Sequence, residues 1–381
     1  MSGLASLTQN QTCFTTGDPL PALLRGRLRL SPWLGTIVGG LIINLPIMVL
    51  ASLNNLWLDR DDLVGLSNDF GWWSLQLTLM PATLFFFLWT PDGIRGVLQG
   101  LTANRVIIIP ESADATSDPF SKFIARFDQS YSHRTWIVAS LIVALIFVGL
   151  LVPVHRGFKN WAVLNDLAFW YTEFFWFVMT YLVCLLVIRA AIVALWFNRL
   201  FHEFRISVKP LHRDGAGGLG PLGRFSVKVG YLIGIYGIAI AVIALTQSYL
   251  ITRQFGSLVL TTPIVITLVA YLILSPLAFF APISTAHVAM EKARREILTR
   301  IAEQLESDLA KVQTTLTLDA AELKTNLDKI EQLQRAHNLV AHFPVWPFNT
   351  GTLVRFFSSV LSPIAIAAAP TIGNLIAKFV R

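Results

Sequence analysis

Two ionisable side chains lie where charge is costly. Glu173 and Arg189 interrupt the otherwise apolar stretch Leu167–Phe197, and an ionisable group inside such a stretch must face a bundle interior, a partner or water. They are the candidate intramembrane ionisable residues. Sixteen positions separate them, about 24 Å along a helix rising 1.5 Å per residue, so they cannot pair with each other. Glu173 is expected near one interface and Arg189 near the other. Snorkelling of each charged head towards water is the plain alternative to a functional role.

A second group surrounds the run from His212 to Gly223. Its glycines, Gly215, Gly217, Gly218 and Gly220 among them, let backbone N–H groups approach an anion. Arg205, Lys209, His212, Arg213, Arg224 and Lys228 add positive charge nearby. This is the candidate anionic-ligand loop. It lacks the Gly-Lys-Ser/Thr of a phosphate-binding P-loop, and its spacing is not that of a dinucleotide fingerprint following a strand. A tight connection between helices, or a loop that couples them mechanically, is the alternative.

Other chemistry is missing from the pattern. The seven histidines are scattered and none has metal-ligand spacing with cysteine or carboxylates. No nucleophile or zinc-hydrolase signature occurs. No catalytic residue, metal or cofactor is expected, and the chain is not expected to be an enzyme. Cys13 lies in a polar tail and Cys184 within an apolar stretch, so a disulfide framework is not expected.

The elements that must hold these residues follow from composition. Of 381 residues, 54% are hydrophobic and 14% charged, against about 25% charged in a soluble domain. The mean hydropathy is +0.60. Apolar windows of about 20 residues, enough for a roughly 30 Å hydrocarbon core, occur at Trp33–Leu53, Trp73–Trp89, Trp136–Val154, Leu167–Phe197, Gly230–Ile251 and Leu258–Ile283. The expected fold is all-α: a polytopic helical membrane protein with six transmembrane helices, or seven if Leu353–Ile376 also crosses. The expected divisions are an N-terminal tail (1–32), a six-span domain (33–283) with inner loops 91–134 and 198–229, a helical region (284–343) and a C-terminal apolar segment (344–381).

Lys and Arg set the orientation, because they accumulate in cytoplasmic loops. With the N-terminus inside, fourteen fall in the inner loops and four in the outer ones. This places the N-terminus and the region 284–343 in the cytoplasm and the protein in the inner (cell) membrane. Within the first inner loop, Asp118-Pro119 is a helix start signal. Phe120, Phe123, Ile124, Phe127 and Tyr131 follow at helical spacing. That helix either lies on the membrane face or packs on the protein itself.

Residues 284–343 contain neither Gly nor Pro, and their acidic and basic residues nearly balance. An apolar stripe runs through Ile297, Ile301, Leu305, Leu309 and Val312 and resumes at Leu323, Leu327 and Ile330. So narrow a stripe wants a partner helix. Asp319-Ala-Ala-Glu322 has the form of a capping box. Two helices forming a cytoplasmic hairpin or coiled coil, about Thr285–Thr314 and Asp319–Ala341, are expected, with one continuous rod as the alternative. Beyond them, Arg355, Pro363 and Pro370 mark a candidate pore or packing segment, either a re-entrant hairpin or a kinked seventh span.

The layout of spans joined to a cytoplasmic helical region resembles that of bacterial multi-pass membrane effectors of antiphage defence. The resemblance implies a ligand-gated channel responding to a nucleotide or oligonucleotide that meets the basic loop around Arg199–Lys228. The function expected from the layout is a homo-oligomeric channel or pore gated through the cytoplasmic helices. Two alternatives stand beside it: a secondary transporter using Glu173, and a sensor or scaffold recruiting a cytoplasmic protein partner. Membrane lipid is the expected surrounding partner.

Overall fold

The computed structural model describes Phe14, residues 22–60, 63–108, 119–157, 160–209, 212–255, 262–315, 320–343 and 345–347, and positions 354, 356–358, 360–361 and 365. The principal helices are α1 (Pro32–Leu53), α2 (Phe70–Ala103, with a π-helical stretch at Leu75–Leu79), α3 (Pro119–Tyr131) and α4 (Arg134–Arg156). They continue with α5 (Asp166–Glu203), α6 (Gly220–Phe255), α7 (Thr262–Thr315) and α8 (Ala320–Ala341). Among the described residues, six helical segments are long and apolar enough to cross a membrane, one in each of the six principal windows. Arg355, Pro363, Pro370 and the two capping aspartates at 118 and 319 lie outside the described residues.

Local chemistry starts several of these helices. Ser31 accepts from the Leu34 N–H before Pro32 at the first helical turn of α1. Asp69 accepts from the Trp72 N–H at α2, and Asn165 from the Ala168 N–H at α5. Each supplies an acceptor to N–H groups that the helix itself leaves unmet.

α5 is the axle of the molecule. Its 38 residues extend about 57 Å, and α1, α2, α3, α4 and α7 all pack against it. Cross-links fix its register. Tyr171 OH donates to the Ile43 carbonyl of α1 at 2.7 Å, and Thr285 of α7 donates to Asn198 Oδ1 at 2.6 Å. α1 and α4 face outwards instead. Ile42 is 64% exposed and Leu145 68%. Exposed apolar faces this extensive suit helices long and apolar enough to cross a membrane.

The connections sort into two ends. At one, Asn165 Nδ2 donates to Asn54 Oδ1, the Trp161 N–H to the Val64 carbonyl, and the Gly65 N–H to Asp59. All belong to loops expected outside. At the other, Ile107 and Ile108 (β1) pair antiparallel with Arg205 and Ile206 (β2), joining the first and third inner loops. Loops expected on the same side thus touch one another.

α3 packs on the protein. Phe120, Phe123 and Phe127 are fully buried, and Phe127 stacks on Trp196 of α5 at 5.5 Å. Phe14 from the N-terminal tail closes this cluster, its ring 4.9 Å from that of Phe127 and its N–H donated to Asp128.

The sixth span and the charged region form one helix. α7 has 54 residues, about 81 Å, so it projects well beyond a hydrocarbon core of roughly 30 Å. α8 folds back along it, with Ile330 and Val340 buried. The hairpin covers the apolar stripe only in part: Ile330 is buried, while Leu309 and Leu327 stay 43% and 50% exposed. Exposed pairs such as Glu291–Arg295 and Glu331–Arg335 decorate the outer faces, each worth only about 0.3–0.5 kcal/mol.

Replacing Phe127 with Ala should lower the stability measured by unfolding in detergent by about 3–5 kcal/mol. An unchanged transition would mean that lipid, not α5, covers this face.

Candidate functional site: a buried His–Glu pair beside a polar cavity

α4 ends at Arg156, α5 begins at Asp166, and the two helices pack against each other. His155, in the last turn of α4, meets Glu173 within α5. His155 Nδ1 lies 2.6 Å from Glu173 Oε1, and Glu173 is only 3% exposed. Breaking such a buried pair is expensive, because an ion taken out of water loses several kcal/mol of solvation.

Glu173 does not use both oxygens on His155. Oε2 has no hydrogen-bond partner in the protein, and Glu173 lines a cavity of about 90 Å³. Asp69, Trp72, Asn160, Trp161 and Trp176 contribute to the same wall. Trp72 Nε1 and Asn160 Oδ1 are likewise buried without partners. Three unmet polar atoms around one small space depart from the rule that buried polar groups are bonded.

Asp69 differs from Glu173. Its carboxylate accepts from the Trp72 N–H at 2.9 Å and from Trp161 Nε1 at 3.0 Å. Burial pushes its carboxyl pKa up, while these bonds and one from the Gly71 N–H hold part of the shift back. Its role is to cap α2 and to fix Trp161, which packs edge-on against Trp72 at 5.5 Å.

Arg189 occupies a separate site. It is 3% exposed, and its guanidinium lies 4.8 Å from the Tyr131 ring centroid and 5.2 Å from that of Phe87. Aromatic faces attract a cation most strongly when it is desolvated. Neither candidate charge reaches out to the interface as snorkelling would require. α5 is continuous between the two, which keeps them a helix length apart.

The glycine-rich loop brings its own anion. The N–H groups of Ala216, Gly218 and Gly220 donate to the Asp214 carboxylate at 3.0, 3.0 and 2.9 Å. His212 Nδ1 lies 2.8 Å from it. Burial alone would raise the Asp214 pKa; the three amides and His212 outweigh it and hold the carboxyl at about 2. Gly217 and Gly218 take φ values of 66° and 93°, the left-handed region where a side chain is strained. The amides offered to an external anion are thus occupied internally. Arg213 and Arg224 remain exposed, while Lys228 sits over the Trp89 ring at 4.8 Å.

The same loop receives the end of the α7–α8 hairpin. A Cβ on Gly217 would meet Phe343 at 3.2 Å, and one on Gly223 would fall 1.9 Å from the Pro347 carbonyl oxygen. His287 of α7 stacks on Trp346 at 4.0 Å, and its Nδ1 lies 2.7 Å from the Val345 carbonyl oxygen. The loop is thus a contact between the end of the hairpin and the start of α6.

Sequence reasoning singled out Glu173 and missed His155, Asp69 and Asn160. No spacing rule pairs His155, one residue from the end of α4, with Glu173, seven residues into α5; packing of the two helices does.

His155→Leu should destabilise the protein by about 3–5 kcal/mol, because it strands a buried carboxylate. The double variant His155→Leu with Glu173→Leu should recover most of that loss. Detergent unfolding of the three proteins measures both. Asp214→Asn should cost at most about 2 kcal/mol near neutrality, given a carboxyl pKa lowered from 3.8 to about 2 and partial solvent screening. A depressed carboxyl pKa stabilises above the unfolded value, so the difference from wild type should fade as pH drops from about 4 to about 2.

No protein family, curated protein or solved structure matches this chain, and its likeness rests on the shape of an all-helical membrane protein with six candidate spans.

Proposed function

We propose that this chain is a secondary transporter of the inner membrane, with its N-terminus and helical hairpin in the cytoplasm, that couples substrate movement to proton binding at His155–Glu173. The observation that carries this reading is the 2.6 Å His–Glu contact beside a second carboxylate oxygen without a protein partner. A pair at this distance shares at least one proton. Adding another leaves an imidazolium beside a neutral carboxyl group; removing one leaves a carboxylate facing a nitrogen lone pair. The two states differ in their affinity for a cationic or hydrogen-bonding neighbour, which is the requirement for coupling. The excess of Lys and Arg in one set of loops supports the orientation.

A second reading, the gated channel, is favoured by the docking of Phe343 and Pro347 on Gly217 and Gly223. Movement of the hairpin has there a direct route to α6. For this reading a nucleotide or other anion would meet Arg213 and Arg224 rather than the amides that Asp214 fills. Homo-oligomers belong to this reading, and Leu309 and Leu327 of the stripe remain exposed beside α8.

Purified protein in vesicles loaded with a pH-sensitive dye separates the two. The outside is challenged in turn with small amines, amino acids, sugars and organic acids. A transporter should change lumenal pH with at least one class, and Glu173→Gln should abolish the response. Voltage-driven current that persists in Glu173→Gln would favour the channel. Silence in both assays would overturn the transport reading.

A further inference from the structure

The cavity beside Glu173 has a chemistry specific enough to name a ligand class. Its open acceptors are Glu173 Oε2 and Asn160 Oδ1. The first belongs to a carboxylate that is 3% exposed, so what satisfies it should donate hydrogen bonds and carry positive charge. Asp69 does not compete, since its oxygens already accept from Trp72 and Trp161.

The walls narrow the choice. Trp72, Trp161, Phe169 and Trp176 line the space, and aromatic faces favour a cation that sheds water readily. A hard metal ion needs six or more oxygens, and among the described residues no group of His, Cys, Asp or Glu is placed to hold a metal. The volume, about 90 Å³, exceeds the roughly 30 Å³ of one water and falls short of the 150 Å³ that admits benzene. A few non-hydrogen atoms fit. The remaining unmet atom, Trp72 Nε1, is a donor and suits an oxygen on the same ligand.

We infer that this cavity binds a short primary ammonium ion, its nitrogen donating to Glu173 and Asn160 among the tryptophan rings, with a hydroxyl-bearing amine as the best fit. The inference rests on the transport reading of this site for its physiological meaning, but the binding itself does not require flux.

Calorimetric titration of the detergent-purified full chain with ethanolammonium chloride at constant ionic strength tests it. Saturable binding is expected in wild type, at least tenfold weaker in Glu173→Gln and severalfold weaker in Asn160→Ala. The latter removes only a loop amide and guards against misfolding of the first variant. Arg335→Ala, on the exposed face of α8, should bind as wild type does. Sodium, potassium and tetramethylammonium, which lack N–H donors, should not compete at equal concentration. No saturable heat in wild type, equal binding in both site variants, or competition by sodium would overturn the inference. Binding without flux would leave it standing and remove the transporter; flux of another substrate class without amine binding would remove this inference alone.

Discussion

The enclosure of α5 is the constraint on which the rest depends. Contacts with α1, α2, α3, α4 and α7 bury the face of α5 that carries Glu173 and Arg189, both 3% exposed. Each had to be accommodated by a neighbour. Glu173 meets the imidazole of His155, and Arg189 meets the faces of Tyr131 and Phe87. The two solutions differ in kind. A histidine partner can exchange a proton, whereas aromatic rings offer a fixed attraction with no titration. Of the two buried charges of α5, Glu173 is therefore the one with a proton-exchanging partner beside the cavity.

The opposite end is built for contact. There Asp214 gathers three amides into a rigid turn, Asn104 Nδ2 donates to the Gly218 carbonyl at 2.8 Å, and the hairpin end presses on Gly217 and Gly223. Glycine is needed at those two positions because backbone and aromatic atoms occupy the space of a side chain. The turn starts α6, and α6 reaches back to α2 through the Thr83–Tyr236 contact at 2.7 Å. A chain of packed elements thus joins hairpin, loop and spans, the physical continuity that coupling between distant sites requires.

Much of this was legible in residue order. Apolar length located the six spans, since hydrocarbon thickness sets a minimum run. The absence of Gly and Pro after Ile283 announced the long α7, and the stripe at Ile330 its need for a partner. Helical spacing in Phe120–Tyr131 revealed an amphipathic helix but not what covers it, because a lipid surface and a wall of Trp196 and Phe197 reward the same pattern. Glycines with nearby cations suggested an anion site. The sequence could not say that Asp214, two residues from His212, would be the anion.

What the sequence by itself determined, then, is the length and apolar character of six helices and the presence of two charges inside one of them. Those properties depend on composition and period, which are local. What only the tertiary structure decided is who meets those charges. His155 became the partner of Glu173 through the packing of two helices, and Asp69, Trp72 and Asn160 joined the same cavity from other segments. Such meetings depend on packing between residues up to about a hundred positions apart, as in the Trp161–Asp69 bond, and no local pattern encodes them.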